Sequence, residues 1–319
     1  MSAGKILNTS NALYANITRA LSLDTVLPQL RALDGGIDAP LISSLATTAT
    51  TQTWTSDQGI ARNTNNWFGF NTFSIKKYDL ANNLLVTNGS PFDTLDPLLD
   101  HVGDGFADDN YVYAPLSDYL SNNATVKGIA IYNVSDLTLH SYFNLDAQTM
   151  LNASGCCLSQ DGTEILVTSY FREISDNEKL RDIYRINKTT GAFIGIHTLN
   201  YQVTGIQSIT TDGTDYYLGA WRRDAPDSSS IYRFNSSFEI LSIIDPSEDK
   251  VEMEGVEYYG STLYFNKKLQ ATRVLDYNSI YDANTTVSNQ PIEFLGGGLV
   301  TEQNTILIKL TPKTFFNFS

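Results

Sequence analysis

Cysteine is almost missing from this chain: there are two, the neighbours Cys156 and Cys157. Adjacent side chains of a strand point to opposite faces, so a bond between these two would distort the backbone. With no third cysteine, a disulfide framework and a Cys-rich zinc site are both excluded, and the pair reads as small buried hydrophobes. Histidine is scarce too, with His101 in an expected loop and His140 and His197 in expected outer strands, an arrangement that offers no shared base. Basic residues are few, 21 against 35 acidic ones, for a formal charge of -14 and a pI near 4.5. Such a surface repels phosphate backbones and anionic headgroups, so nucleic acid is not an expected partner. No run approaches the roughly 18 apolar residues of a spanning helix, and the start "MSAGKILNTSNALYANITRAL" lacks the apolar centre of a secretory signal. Neither a membrane span nor Sec export is expected. The G-x-S-x-G elbow, P-loop, H-E-x-x-H and complete calcium loop are also absent. Catalysis at neutral pH would therefore need a carboxylate of shifted pKa as its base.

Hydrophobic residues at 42%, charged residues at 18% and an aromatic share of 11% describe a folded chain that leans towards β structure. A repeat organises it. The segments "QGIARNTNNWFGF" (from Gln58), "DGFADDNYVYAPL" (Asp104), "SGCCLSQDGTEILVTSY" (Ser154), "QSITTDGTDYYLGAW" (Gln207), "EGVEYYGSTLYFNK" (Glu254) and "GGLVTEQNTILIKL" (Gly297) share one pattern. Their starts lie 46, 50, 53, 47 and 43 residues apart. Each holds a short apolar run, a tight turn and a second strand. Asp161-Gly162 and Asp212-Gly213 suit hairpin turns because Gly accepts positive φ and Asp tolerates it, and Gly260-Ser261 falls at a comparable place. A third strand follows, as "SIKKYDL", "GIAIYNV", "DIYRINK", "SIYRFNS" and "TRVLDYN". A fourth follows that, as "NNLLVTN", "LTLHSYFNL", "GAFIGIHTL" and "SFEILSIID". Four strands per roughly 48 residues is the period of a propeller blade.

From Gln58 to Ser319 the chain thus resembles the broad class of β-propeller repeat proteins, a likeness of architecture only. The expectation is an all-β, six-bladed propeller of four-stranded blades, closed by a strand near Thr50 to Thr55; a five-bladed ring with an unusual tail is the alternative. Residues 1–48 read as a helical docking or oligomerisation segment, with one short helix around Leu13, Ile17 and Leu21 and a second through "LISSLATT". Residues 49–319 form the propeller.

In such a ring the residues just before each inner strand surround the channel mouth, which places Gln58, Asp104, Ser154, Gln207, Glu254 and Gly297 there. Carboxylates and amides are oxygen donors that suit a divalent cation such as calcium, with Glu254 and Asp104 as candidate metal ligands. The Glu-Gly of "MEGVEYYG" is loosely similar to metal-dependent lactonases of the senescence-marker and gluconolactonase type, a resemblance that implies a metal on Glu254. The loops after the second strands, "PLSDYLSNNATVK", "FREISDNEKLR" and "RRDAPDSSS", read as recognition loops. Tyr170 with Arg172, and Trp221 with Arg222, open two of them, and an aromatic followed by Arg suits a sugar ring or a protein interface. The leading expectation is a non-enzymatic binding and assembly module without a cofactor. It docks to other subunits through its N-terminal segment, and its character resembles propeller-carrying virion proteins of tailed phages, in a tail or fibre. The alternatives are a divalent-metal hydrolase or lactonase, and a secreted propeller that binds cell-surface glycan.

Overall fold

The computed structural model describes residues 41–45, 47–49, 52–119, 125–170, 181–203, 205–222, 225–246, 252–268, 273–275, 293–294 and 308–309. The chain divides into two compact units, Ile42–Tyr277 and a second made of Met1–Leu41 with Asn278–Ser319.

In the first unit, β1 (Leu41–Leu45) and β2 (Thr47–Ala49) precede five modules. The first contains β3 (Gly59–Arg62), β4 (Asn66–Asn71), β5 (Ser74–Asp79) and β6 (Leu84–Asn88). The second contains β7 (His101–Val102), β8 (Phe106–Ala107), β9 (Tyr111–Ser117), β10 (Lys127–Asn133) and β11 (Leu139–Asn144). The third runs through β12 (Gly155–Leu158), β13 (Glu164–Thr168), β14 (Asp182–Asn187) and β15 (Phe193–Thr198), and the fourth through β16 (Ile206–Thr211), β17 (Tyr216–Arg222), β18 (Ala225–Phe234) and β19 (Ile240–Pro246). The fifth has β20 (Met253–Tyr259), β21 (Thr262–Lys267) and β22 (Arg273–Leu275). In the second unit, β23 (Glu293–Phe294) and β24 (Ile308–Lys309) form one antiparallel pair.

Each module is an antiparallel sheet in chain order. The third and fourth strands fall where the repeated "IYR-N" text puts them, for a local reason. The Asn or Asp that closes the third strand accepts the backbone N–H groups of the following turn: Asn83 N donates to Asp79, Thr189 and Thr190 N to Asn187, and Ser237 and Glu239 N to Asn235. These side chains cap the turn that the chain must make there. The hairpin turns hold as well, with Gly162 at φ 71° and Gly213 at φ 86°. Asp161 and Asp212 accept from Thr163 N and Thr214 N inside those turns.

Burial falls from the first strand outward. Gly59, Ile60 and Ala61 of β3 are buried, as are Gly155, Cys156 and Cys157 of β12, whereas Leu84 and Leu85 of β6 and Phe193 and Ile194 of β15 are exposed. The first strands are therefore innermost, and successive ones are neighbours: β3 lies by β8, β8 by β12, β12 by β16, β16 by β20, and β20 by β3 again. Blade faces pack into one another through apolar clusters. Phe68, Phe70 and Tyr132 fill the first gap, Ile165, Val167 and Tyr184 the second, and Leu218, Phe234 and Phe238 the third. Fully burying one such side chain stabilises the fold by about 2–3 kcal/mol.

Among the described residues the ring has five blades, the alternative count, and the fifth lies against the first. Trp67 meets Tyr264 edge-on at 5.0 Å, Arg62 Nη1 donates to Tyr264 Oη at 3.3 Å, and Asn266 Nδ2 donates to Ser56 Oγ at 2.9 Å. With the fifth blade already against the first, no gap is left for another sheet. The sixth repeat, from Gly297, lies outside the described residues apart from β24.

A closing strand exists, earlier than expected: β2 pairs with β22 (Thr47↔Leu275, Thr48↔Val274, Ala49↔Arg273) and becomes the outermost strand of the fifth blade. Strand β1 adds a fifth strand to the fourth blade, beside β19. The helix expected through "LISSLATT" is therefore two strands. Its Thr-rich, β-branched sequence suits an edge position, and sheet pairing overrides a weak local helix signal. The helix expected around Leu13 to Leu21 lies outside the described residues.

Candidate functional site

Two positions per blade converge at one end of the ring. The first is the start of the inner strand and the second is the far end of the second strand. Together they line a cavity of about 350 Å³. Gln58, Ser154, Gln207 and Glu254 come from the first position, as expected from the repeat, and Tyr170 and Trp221 come from the second. Arg172 and the side chain of Arg222 lie outside the described residues, as do residues 120–124, 171–180 and 223–224 of the loops.

Sequence reasoning missed Thr72, His101, Tyr119, Asn152, Glu252 and Lys268, all of which line the same cavity. A signal for three of them was present. Thr72, Tyr119 and Lys268 occupy the second-strand end in blades one, two and five, the place that Tyr170 and Trp221 hold in blades three and four.

Asp104 is a correction. In the second blade the inner strand begins at His101 and breaks around Asp104, so His101 takes the mouth position and Asp104 lies deeper, fully buried and off the cavity lining. There its Oδ1 accepts from Ile60 N of blade one at 2.9 Å. Its own backbone pairs with Gly155 of blade three. Asp104 thus ties the inner strands of three blades together. The approach is so close that a Cβ on Gly59 would fall on the Asp104 carboxylate. Burial, followed by the negative charges of Glu257 and Glu254, pushes its pKa well up.

Glu254 and Asp104 do not form a shared metal site. Among the described residues no three His, Cys, Asp or Glu side chains group so as to hold a metal ion. Instead Lys268 Nζ stands 3.1 Å from Glu252 Oε2 and 3.8 Å from Glu254 Oε1. An ammonium occupies the neighbourhood where a cation would need to sit, and a hard cation beside it would be repelled. Burial and then the negative charge of Glu252 push the Glu254 pKa well above the ordinary range against the pull of Lys268. For Lys268, burial acts downward, but Glu254 and Glu252 outweigh it and hold the ammonium form. His101 is buried and lies near Lys268, and those two causes lower its pKa to about 4, so its ring is neutral at pH 7.

The cavity is two-sided. On blades two to four, His101, Tyr119, Tyr170 and Trp221 follow one another as an aromatic arc; His101 and Tyr119 are 4.9 Å apart, and Tyr119 meets Tyr170 edge-on at 6.1 Å. Asn152 Oδ1 accepts from Tyr170 N at 2.8 Å and so fixes that residue's backbone. On blades five and one stand Glu252, Glu254, Lys268, Gln58 and Thr72, with Asp57 holding Thr72 through both carboxylate oxygens. His101 Nδ1 and Trp221 Nε1 are shielded from solvent without a hydrogen-bond partner. Buried polar atoms in that state are uncommon and mark places where a ligand can bond.

No protein-family model matches the chain, and no curated protein matches it. Among solved structures it is similar to the calcium-binding protein regucalcin from Agrobacterium tumefaciens strain C58, at 11% identity over 74% of this chain and 95% of that one, with a TM-score of 0.44. It is also similar to hydrazine synthase from Kuenenia stuttgartiensis, at 11% identity over 68% of this chain and 58% of that one, with a TM-score of 0.42.

Proposed function

We propose that this propeller is a binding module whose mouth holds a small carbohydrate against the arc of Tyr119, Tyr170 and Trp221. The observation that carries the reading is the two-sided cavity, with aromatic rings from consecutive blades facing a polar wall of amides, carboxyls and one ammonium. A sugar ring has the matching form, with C–H faces that pack on aromatic rings and hydroxyls at its edge. A volume of about 350 Å³ is at the small end of ligand cavities, which run from about 300 to 1,000 Å³, and suits one or two rings.

Cleavage of the sugar is disfavoured by the same geometry. Glycoside hydrolysis uses two carboxyls about 5 to 9.5 Å apart. Here Glu252 and Glu254 both face Lys268 Nζ, at 3.1 and 3.8 Å, and Asp57 is committed to Thr72. The metal-dependent lactonase reading is disfavoured by Lys268 beside Glu254.

Calorimetric titration of the protein with methyl glycosides and short oligosaccharides tests the reading. Trp221→Ala is expected to weaken binding about 30- to 150-fold, since loss of one buried aromatic contact is worth about 2–3 kcal/mol, with the fold retained by circular dichroism. An unchanged affinity would remove Trp221 and the arc from the site. One calcium per chain that is lost in Glu254→Gln, with ester or lactone turnover, would favour the hydrolase instead.

Docking to other subunits through residues 1–40 is the second part of the proposal. What supports it is that β1 and β2 anchor the chain just after that segment to the outer edges of two blades. Removal of residues 1–40 should leave the ring folded and abolish self-association, as read by light scattering. A monomeric full-length protein would end this part.

A further inference from the structure

We propose that the mouth selects uncharged sugars, with Glu252, Glu254 and Lys268 acting together as a clamp on neighbouring hydroxyls that rejects both acidic and amino sugars. The inference rests on the carbohydrate reading above and deepens it.

The argument is one of charge balance in a confined space. Four side chains of the lining can carry charge near neutral pH, His101, Glu252, Glu254 and Lys268, yet none presents an unanswered charge. Lys268 is answered by Glu252 at 3.1 Å and by Glu254 at 3.8 Å. Glu254 is nearly buried, with its side chain 3% exposed, and faces the same ammonium as Glu252. The neighbouring Asp57 spends one oxygen on Thr72 N at 2.9 Å and the other on Thr72 Oγ1 at 3.2 Å. The His101 ring is neutral, because burial and Lys268 both oppose its protonation.

A ligand carboxylate entering here would have to compete with Glu252 and Glu254 for Lys268 and would lie against two acidic groups. A ligand ammonium would have to displace Lys268 from Glu252 and would lie against that cation. Each would lose its hydration without gaining an uncommitted partner of opposite charge, and an unpaired buried charge is among the most costly states in a protein. A pair of vicinal hydroxyls carries no such penalty. One can accept from Lys268 Nζ and the other can donate to a Glu252 oxygen, so that the existing ion pair is bridged rather than broken. Discrimination of this kind works by rejecting the wrong ligand as much as by holding the right one.

The test is a titration of the full-length protein with three matched ligand sets: methyl glycosides of neutral hexoses, of the corresponding uronic acids, and of the corresponding 2-amino sugars. The neutral member is expected to bind at least ~10-fold more tightly than both charged ones at pH 7. Lys268→Met removes the cation and should shift preference towards the amino sugar. Glu252→Gln removes an acceptor charge and should shift preference towards the uronic acid. Melting curves and the retained affinity of each variant for its favoured sugar show that the fold is intact. Equal or tighter binding of either charged sugar by the unaltered protein overturns the inference while leaving the carbohydrate reading in place. Binding of none of the three sets overturns the carbohydrate reading, and this inference with it.

Discussion

Replacement of Asp104 by Ala is expected to cost about 3–5 kcal/mol of stability, or to prevent folding at 37 °C, as read by urea unfolding. The substitution strands a buried donor, Ile60 N–H of the neighbouring blade, and empties the space into which the carboxyl is packed beside Gly59. Each unsatisfied buried group costs about 1–3 kcal/mol, and the space left by the carboxyl adds to that. Asp104→Asn is the informative partner, because its amide oxygen keeps an acceptor in place while removing the titration. The folded-state pKa of Asp104 is raised, chiefly by burial and then by Glu257 and Glu254, so the native state holds the proton more tightly than the unfolded chain. Stability from this group is therefore full below the unfolded value, near 3.8, and declines as pH rises towards the raised folded value. Glu254 and Glu257 act in the same direction, since burial raises both. His101 acts oppositely. Its pKa is lowered to about 4, so its contribution is full above the ordinary 6.5 and is lost as pH falls through about 4. The Asn variant should thus show a shallower decline between pH 5 and 8 than the unaltered protein, and match or exceed its stability at pH 8. Parallel profiles for the two would show that Asp104 does not titrate as its surroundings dictate.

The second large effect concerns closure. Removal of residues 1–50 takes away β2, which pairs Thr47, Thr48 and Ala49 with Leu275, Val274 and Arg273, and it takes β1 from the edge of β19. A backbone hydrogen bond contributes about 0.5–1.5 kcal/mol net, so loss of the pairing at these two edges amounts to roughly 3–5 kcal/mol. For a ring of this size that lowers the melting temperature by about 10 °C, since 1 kcal/mol corresponds to about 2–4 °C in domains of 150–250 residues. Two bare edges also invite intermolecular strand pairing, so the shortened protein should aggregate on heating. Removal of residues 1–40 alone spares both strands and should therefore lower the melting temperature of the ring less than removal of residues 1–50. Equal melting temperatures for the two truncations would show that β2 does not secure the ring.

Within the candidate site, what the sequence showed and what it hid can be separated residue by residue. Gln58, Ser154, Gln207 and Glu254 were found because they stand at the start of the inner strand of each repeat, and Tyr170 and Trp221 because they stand near the end of the second strand. Tyr119 and Lys268 hold that same second-strand position and were passed over, since a lone Tyr before "LSNN" or a Lys-Lys pair carries no chemical signature of its own. Asp104 was misplaced by three residues. The repeat aligned it with its counterparts, but the second blade's inner strand is broken, with β7 ahead of the break and β8 after it.

The sequence by itself determined the module: strand, Asp-Gly or Gly-Ser turn, strand, and an Asn- or Asp-capped third strand leading to a fourth. All of that is set by φ preferences, by side chains bonding to their own backbone, and by alternation over a few neighbouring residues. Only the tertiary structure decided how many modules make a ring, that Ala49 and its neighbours complete the last blade beside Arg273, and that Lys268 stands between Glu252 and Glu254. Those outcomes depend on the twist of each sheet and on contacts such as Asn266 with Ser56, between residues 210 apart in the chain, where no local pattern records the partner.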